Sequence, residues 1–213
     1  MTWKGSNDST WPSAPSSPPD EQTLILASHS ARRRELMVQA GYRFHVVPSA
    51  VDESTFAVQG VDAVTYARQL ALAKARDVAA RYPRHWVLGA DTVVESDGRI
   101  IGKPADAMEA ERIIRQLLSG PHRVITGLAL VRRTARLEFV ESDTTIVYPR
   151  PMSDEQISQH IQGGTWHGKA GAYGIQERGD TFVDRLDGSF TNVVGLPLER
   201  LGQVLAEAGY RTE

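Results

Sequence analysis

Three consecutive arginines, Arg32, Arg33 and Arg34, follow the hydroxyl-bearing turn Ser28-His29-Ser30. If a helix starts there, its partial positive charge disfavours cations by roughly 0.3–1 kcal/mol each. An anion among them removes the conflict. A helix N-terminus, serine hydroxyls and forked guanidinium groups together make a phosphate cradle; the plainer reading is a solvated helix start capped by Ser30. Lys74 falls in the apolar stripe of a second helical segment, between Leu70 and Val78, where it either snorkels to water or serves an internal anion. Asp91 closes the apolar run WVLGA, a place where a carboxylate is costly unless metal, base or hydrogen bonds compensate it. Lys103 lies between Gly102 and Pro104 and is, taken alone, an ordinary loop lysine. Asp52 and Glu53 are adjacent carboxylates that, with Asp91, could hold Mg²⁺, which takes a few carboxylates plus substrate phosphate oxygens. The Gly-rich stretch from Trp166 to Gln176 either admits a ligand close to the backbone or merely punctuates loops. Its last residue, Gln176, has an amide able to pair with a base edge.

The elements that must position these groups follow from periodicity. Thr23–Ala27 reads as a short buried strand, followed by a helix from Arg32 to about Ala40 that ends at Gly41. Asp62–Arg81 has apolar residues at three- and four-residue spacing and reads as a helix. Trp86–Ala90 is a buried strand with Asp91 at its end, and Thr92–Ile101 a hairpin turning at Ser96-Asp97-Gly98. A helix spans about Asp106–Leu118, two β-rich runs cover Arg123–Arg132 and Leu137–Tyr148, and Ser153 with Gln156 has capping-box spacing. The last third holds the Gly-rich segment, a strand near Thr181–Leu186 and a helix at about Leu198–Ala208. No internal repeat is found.

The chain has 213 residues, 41% hydrophobic, enough for one sizeable core, expected over residues 23–213. The Ser- and Pro-rich segment 1–22 lacks the apolar content to fold and is expected to be a tail. There is no cysteine, which excludes disulfides and thiolate chemistry, and the six histidines show no metal-binding spacing. The formal charge is −2, carried by the tail, so the remainder has little bulk attraction for nucleic acid or anionic lipid. Neither an apolar signal core of about 7–15 residues nor a run of about 20 occurs. The expectation is a soluble cytoplasmic protein. P-loop and dinucleotide-binding glycine motifs are missing.

The segments LILASHSARRREL, VLGADTVV followed by GKP, and KAGAYGIQ followed by GSFTNVVGLPL resemble, in order, the signatures of the Maf family of nucleotide pyrophosphatases. The resemblance spans about Thr23–Gly209. It implies an α/β fold similar to inosine triphosphate pyrophosphatases: an elongated, curved mixed sheet, flanking helices and a central nucleotide cleft, commonly in a homodimer. It also implies hydrolysis of a nucleoside triphosphate to the monophosphate and pyrophosphate, with Asp91 as proton acceptor. On this reading Glu53 and Asp91 hold a divalent cation, Mg²⁺ or Mn²⁺, with Asp52 as helper. Ser28, Arg32, Arg33, Lys74, Lys103 and Lys169 bind the substrate, and Arg32, Thr92 and Gln176 resemble the specificity positions of the dTTP/UTP branch. The alternatives are a 7-methyl-GTP or broad noncanonical nucleotide pyrophosphatase, a non-catalytic nucleotide-binding regulator of cell division, and a phosphomonoesterase. Two departures concern loop geometry: Ala31 replaces a usual proline, and the run Ser119–His122 is about one residue short.

Overall fold

A computed structural model describes residue 21, residues 23–175 and residues 182–210. Residues 1–20 and 22 of the expected tail, and Gln176, lie outside them.

The short apolar run Leu24–Leu26 forms β1 and is followed by helix α1, Ala31–Gln39, capped by Ser30, whose hydroxyl accepts from the Arg33 amide. After β2, Phe44–Val46, a 3-10 turn at Glu53–Thr55 leads to α2, Ala63–Arg81, which Asp62 caps. Strand β3 runs Val87–Ser96 and turns into β4, Arg99–Ile101, at the expected Ser96-Asp97-Gly98 position. Then come α3, Ala107–Leu117, and the long strands β5, His122–Arg132, and β6, Leu137–Pro149. Helix α4, Asp154–Gln162, carries the full Ser153/Gln156 capping box. Strand β7, Val183–Asp187, the five-residue helix α5, Phe190–Val194, and α6, Leu198–Glu207, complete the chain.

The seven strands form one mixed sheet in the order β2-β1-β3-β5-β6-β7, with β4 on β3. β1 pairs parallel with β2 and β3, and the other pairings are antiparallel. The expected mixed α/β architecture with flanking helices is therefore present.

Alternation along β3 and β5 assigns the two faces. One face carries Val87, Val93, Ile125, Ala129 and Val131 against α2. α2 presents a small-residue stripe, Ala67, Ala71 and Ala75, to Gly89 and Gly127. A Cβ at Gly89 would overlap the Ala71 carbonyl oxygen, and one at Gly127 that of Ala67. Helix and sheet thus touch backbone to backbone.

The opposite face holds two separate apolar clusters. Leu88, Ala90, Leu128 and Leu130 pack with α1 and α6, while Val94 and Val124 pack with α3, α4 and the segment around Tyr173. Between the clusters, at the same register position of β3 and β5, stand Thr92 and Thr126.

One expectation needs correction. Asp91 does not end a strand: β3 continues through it, pairing with β5 from Val87↔Val131 to Glu95↔Arg123. The charge is tolerated because its register partner is Gly127, whose missing side chain lets the α2 backbone sit close enough for Lys74 to reach the carboxylate. The expectation of an open position holds in another form. β1 pairs with β3 only to Leu88 and β4 only from Val94, so among the described residues no strand covers that edge of β3 in between.

Candidate active site

At this uncovered edge of β3 the structure opens a cleft of about 510 Å³. The turn after β1, the start of α1, Glu53, Lys74, Lys103, the Gly-rich segment and the end of α5 surround it. Of the residues singled out from sequence, Ser28, Arg32, Arg33, Glu53, Lys74, Asp91, Thr92, Lys103 and Lys169 all line it.

The centre is an ion chain. Lys74 donates to Asp91 Oδ1 at 2.6 Å and to Glu53 Oε1 at 2.7 Å, and Lys103 donates to Glu53 Oε2 at 3.1 Å. Lys74 and Asp91 are buried, so the lysine does not snorkel; it serves the internal carboxylates. The close seating of α2 on Gly89 and Gly127 makes this reach possible. Asp91 Oδ2 accepts no hydrogen bond from the described residues and is not sealed from the cleft. Burial alone would raise the Glu53 carboxyl, but hydrogen bonds and charge from Lys74 and Lys103 outweigh it and bring it down to about 2.

Arg33 is the second anchor. Its guanidinium donates to the Gly195 carbonyl at 2.8 Å, to Ser28 Oγ at 3.2 Å and to Thr92 Oγ1 at 3.0 Å. Burial lowers its pKa from the ordinary value, opposed by the field of Asp91. It ties α1 to the loop after α5 and to β3. Ser28 also accepts from the Ser30 amide at 3.1 Å, which shapes the turn into α1.

Two expectations change here. The carboxylate pair separates: Asp52 caps the 3-10 turn, accepting from the Ser54 amide and hydroxyl, and does not line the cleft. Adjacent residues entering a 3-10 turn point in different directions, and only Glu53 turns inward. Of the three arginines, Arg34 stays outside the cleft lining. Successive helical residues are about 100° apart, so one anion cannot face all three.

Sequence reasoning missed Thr126, Asn192 and the Gly195 carbonyl. Thr126 gave a faint signal, a hydroxyl within the apolar run from Val124 to Val131; a backbone carbonyl 162 residues from its partner gives none.

The donor set also bears on a metal. Among the described residues no group of three or more His, Cys, Asp or Glu side chains is placed to hold an ion. Mg²⁺, however, is commonly held by one or two carboxylates together with substrate phosphates. Glu53 and Asp91 are the two carboxylates that could take a cation entering with a phosphate ligand, which would have to displace ammonium contacts of Lys74 or Lys103 to reach more than Asp91 Oδ2.

Comparison with known proteins gives consistent results. Residues 23–208 match the family described as Maf-like protein. A dTTP/UTP pyrophosphatase from Symbiobacterium thermophilum is 47% identical over 189 residues, 89% of this chain and 95% of that protein. One from Koribacter versatilis is 45% identical over 186 residues, covering 87% and 94%. One from Halalkalibacterium halodurans is 43% identical over 189 residues, covering 89% and 97%. Among solved structures, a HAM1 protein from Coxiella burnetii aligns over 87% of this chain and 98% of its own, with a TM-score of 0.46 and 14% identity, too distant to carry an argument.

Proposed function

Because the chain belongs to the Maf family, we propose that its cleft hydrolyses nucleoside triphosphates, dTTP and UTP foremost, to the monophosphate and pyrophosphate. The observation that carries the reading is the convergence on one cleft of Asp91 and Glu53 with Lys74, Lys103, Arg32, Arg33 and Lys169.

A triphosphate brings about four negative charges, and attack on it needs them neutralised and the leaving group stabilised. The N-terminus of α1, Arg32, Lys103 and Lys169 surround the space where such charge would lie. Arg33, held by three protein acceptors, supplies fixed positive potential that needs no rearrangement during reaction.

Water attacks the α-phosphorus. Its proton passes to Asp91 Oδ2, the oxygen that Lys74 leaves unoccupied, and the Pα–O–Pβ bond breaks to release pyrophosphate. Lys74 holds the Asp91 carboxylate in one orientation through Oδ1. Glu53 and Asp91 would hold a divalent cation, which supplies charge neutralisation on the phosphate oxygens. Gln176, outside the described residues, and Thr92 complete the reading as contacts to the base. A homodimer belongs to the same reading and rests on the family resemblance; a cytoplasmic location without nucleic-acid or membrane partners rests on the near-neutral charge, the lack of cysteine and the lack of long apolar runs. No helix among the described residues is long and apolar enough to cross a membrane.

The test incubates the purified chain with dTTP, UTP, CTP, GTP and 7-methyl-GTP, with Mg²⁺ or Mn²⁺ and with chelator, and separates the products. The expected outcome is metal-dependent dTMP and UMP with pyrophosphate. Release of orthophosphate, or no turnover at all, overturns the reading, and turnover in chelator removes the metal from it.

A further inference from the structure

In one chain of hydroxyls running inward from the cleft, the hydrogen directions follow from the groups at its ends. Arg33 Nη2 lies 3.0 Å from Thr92 Oγ1, Thr92 Oγ1 lies 2.9 Å from Thr126 Oγ1, and Thr126 Oγ1 lies 3.1 Å from the Asn192 carbonyl oxygen. A guanidinium only donates and a carbonyl only accepts. Thr126 therefore spends its single proton on the Asn192 carbonyl. Thr92 must then donate to Thr126, while accepting from Arg33. The chain runs one way only: Arg33 to Thr92 to Thr126 to Asn192.

The far end is fixed. Asn192 is fully buried, and its Nδ2 donates to the Val124 carbonyl and to Thr145 Oγ1, both at 2.9 Å. Thr145 in turn donates to the Ser189 carbonyl at 3.0 Å, so the carbonyl that orders the chain is held by strand and helix together.

The near end faces the cleft. Thr92 is the partly exposed residue between buried Asp91 and Val93, at the uncovered edge of β3. With its proton committed inward and one lone pair taken by Arg33, it offers the cleft one remaining lone pair and no donor. Val94, Val124, Val193 and Tyr173 also line the cleft and give it apolar surface suited to a flat base, while Arg33 borders Thr92 on its other side.

We propose that Thr126 is a positioning residue that makes Thr92 an acceptor-only contact, so that the cleft selects pyrimidines bearing a ring N–H donor, as uracil and thymine do at N3. Cytosine carries an acceptor at N3 and meets Thr92 lone pair to lone pair. This rests on the pyrimidine triphosphate reading above and deepens it: discrimination is set two residues away from the ligand, by the direction of a buried proton.

The test measures kcat/KM for UTP and for CTP in the wild type and in Thr126→Val, which keeps the side-chain shape but removes the hydroxyl, and in Thr126→Ser, which restores it. The UTP-over-CTP ratio is expected to fall about tenfold in the valine variant, because Thr92 can then turn its proton to the base, and to return to within about twofold of wild type in the serine variant. Should Thr126→Val not fold, Thr126→Cys, similar in volume and a weak donor, is expected to lower the ratio about threefold. Parallel loss on both substrates with an unchanged ratio in the folded variants overturns the proposal and leaves Thr126 a structural residue. Equal use of UTP and CTP by the wild type also overturns it while leaving pyrophosphate release intact. Absence of pyrophosphate from every nucleotide instead overturns the functional reading beneath it.

Discussion

Lys74 and Asp91 are each costly where they stand, and each is the reason the other is tolerated. A buried pair at 2.6 Å loses about 3–5 kcal/mol when one partner is removed, because the remaining charge stays uncompensated. Lys74→Met is therefore expected to destabilise the protein by about that amount and to lower turnover at least about a hundredfold. The double variant Lys74→Met/Asp91→Asn is expected to regain most of the stability and none of the activity, by thermal unfolding beside kinetics. Additive stability losses would contradict the pairing. These two residues were legible in the sequence because a cation inside an apolar stripe and a carboxylate inside an apolar run each violate a pattern. What remained illegible was the partnership: Lys74 and Glu53 are 21 residues apart, and nothing local announces that one ammonium bridges two carboxylates. Arg33 shows the same limit, since Gly195 meets it through a backbone carbonyl that any residue type would supply.

At the scale of elements, the site depends on how close α2 sits to the sheet. Gly89→Ala places a methyl group against the Ala71 carbonyl and 2.8 Å from the Ala75 amide nitrogen, so the helix must shift. Overpacking of this kind costs about 1–3 kcal/mol, and because the shift displaces Lys74 from Asp91, turnover is expected to fall together with melting temperature. A variant that melts lower but keeps wild-type kcat would show that the ion chain does not depend on this contact. The long elements were readable from sequence, α2 from its three- and four-residue apolar spacing, and β5 and β6 from their β-rich runs. The break placed at Asp91 was wrong because a charged residue looks like a strand end when its compensating cation belongs to another element. Helix α5 escaped notice because five residues make little more than one turn, too short for a period to show.

For the molecule as a whole, two groups on different parts of the fold contribute to its response to acid. His122, buried beside Tyr173 with Nε2 at 2.7 Å from the phenol oxygen, is pushed down by burial to about 4. The unfolded chain therefore takes up this proton first, and the associated stability is present above about pH 6.5 and lost as pH falls toward 4. Glu53, depressed to about 2, adds a loss that begins below about 4.5. Denaturant unfolding at pH 7 and pH 5 is expected to show a drop that His122→Gln, which keeps a hydrogen-bonding side chain without titrating, largely removes. An unchanged drop in that variant would place the acid sensitivity elsewhere. In the proposed reaction the sheet, the two clusters on one face and α2 on the other frame a cleft in which water is delivered to one phosphorus at the uncovered edge of β3. Hydrolysis of UTP in ¹⁸O-labelled water tests this directly. Attack at the α-phosphorus assisted by Asp91 predicts label in UMP, none in pyrophosphate, and loss of turnover in Asp91→Asn; label in pyrophosphate, or full activity in that variant, would contradict it.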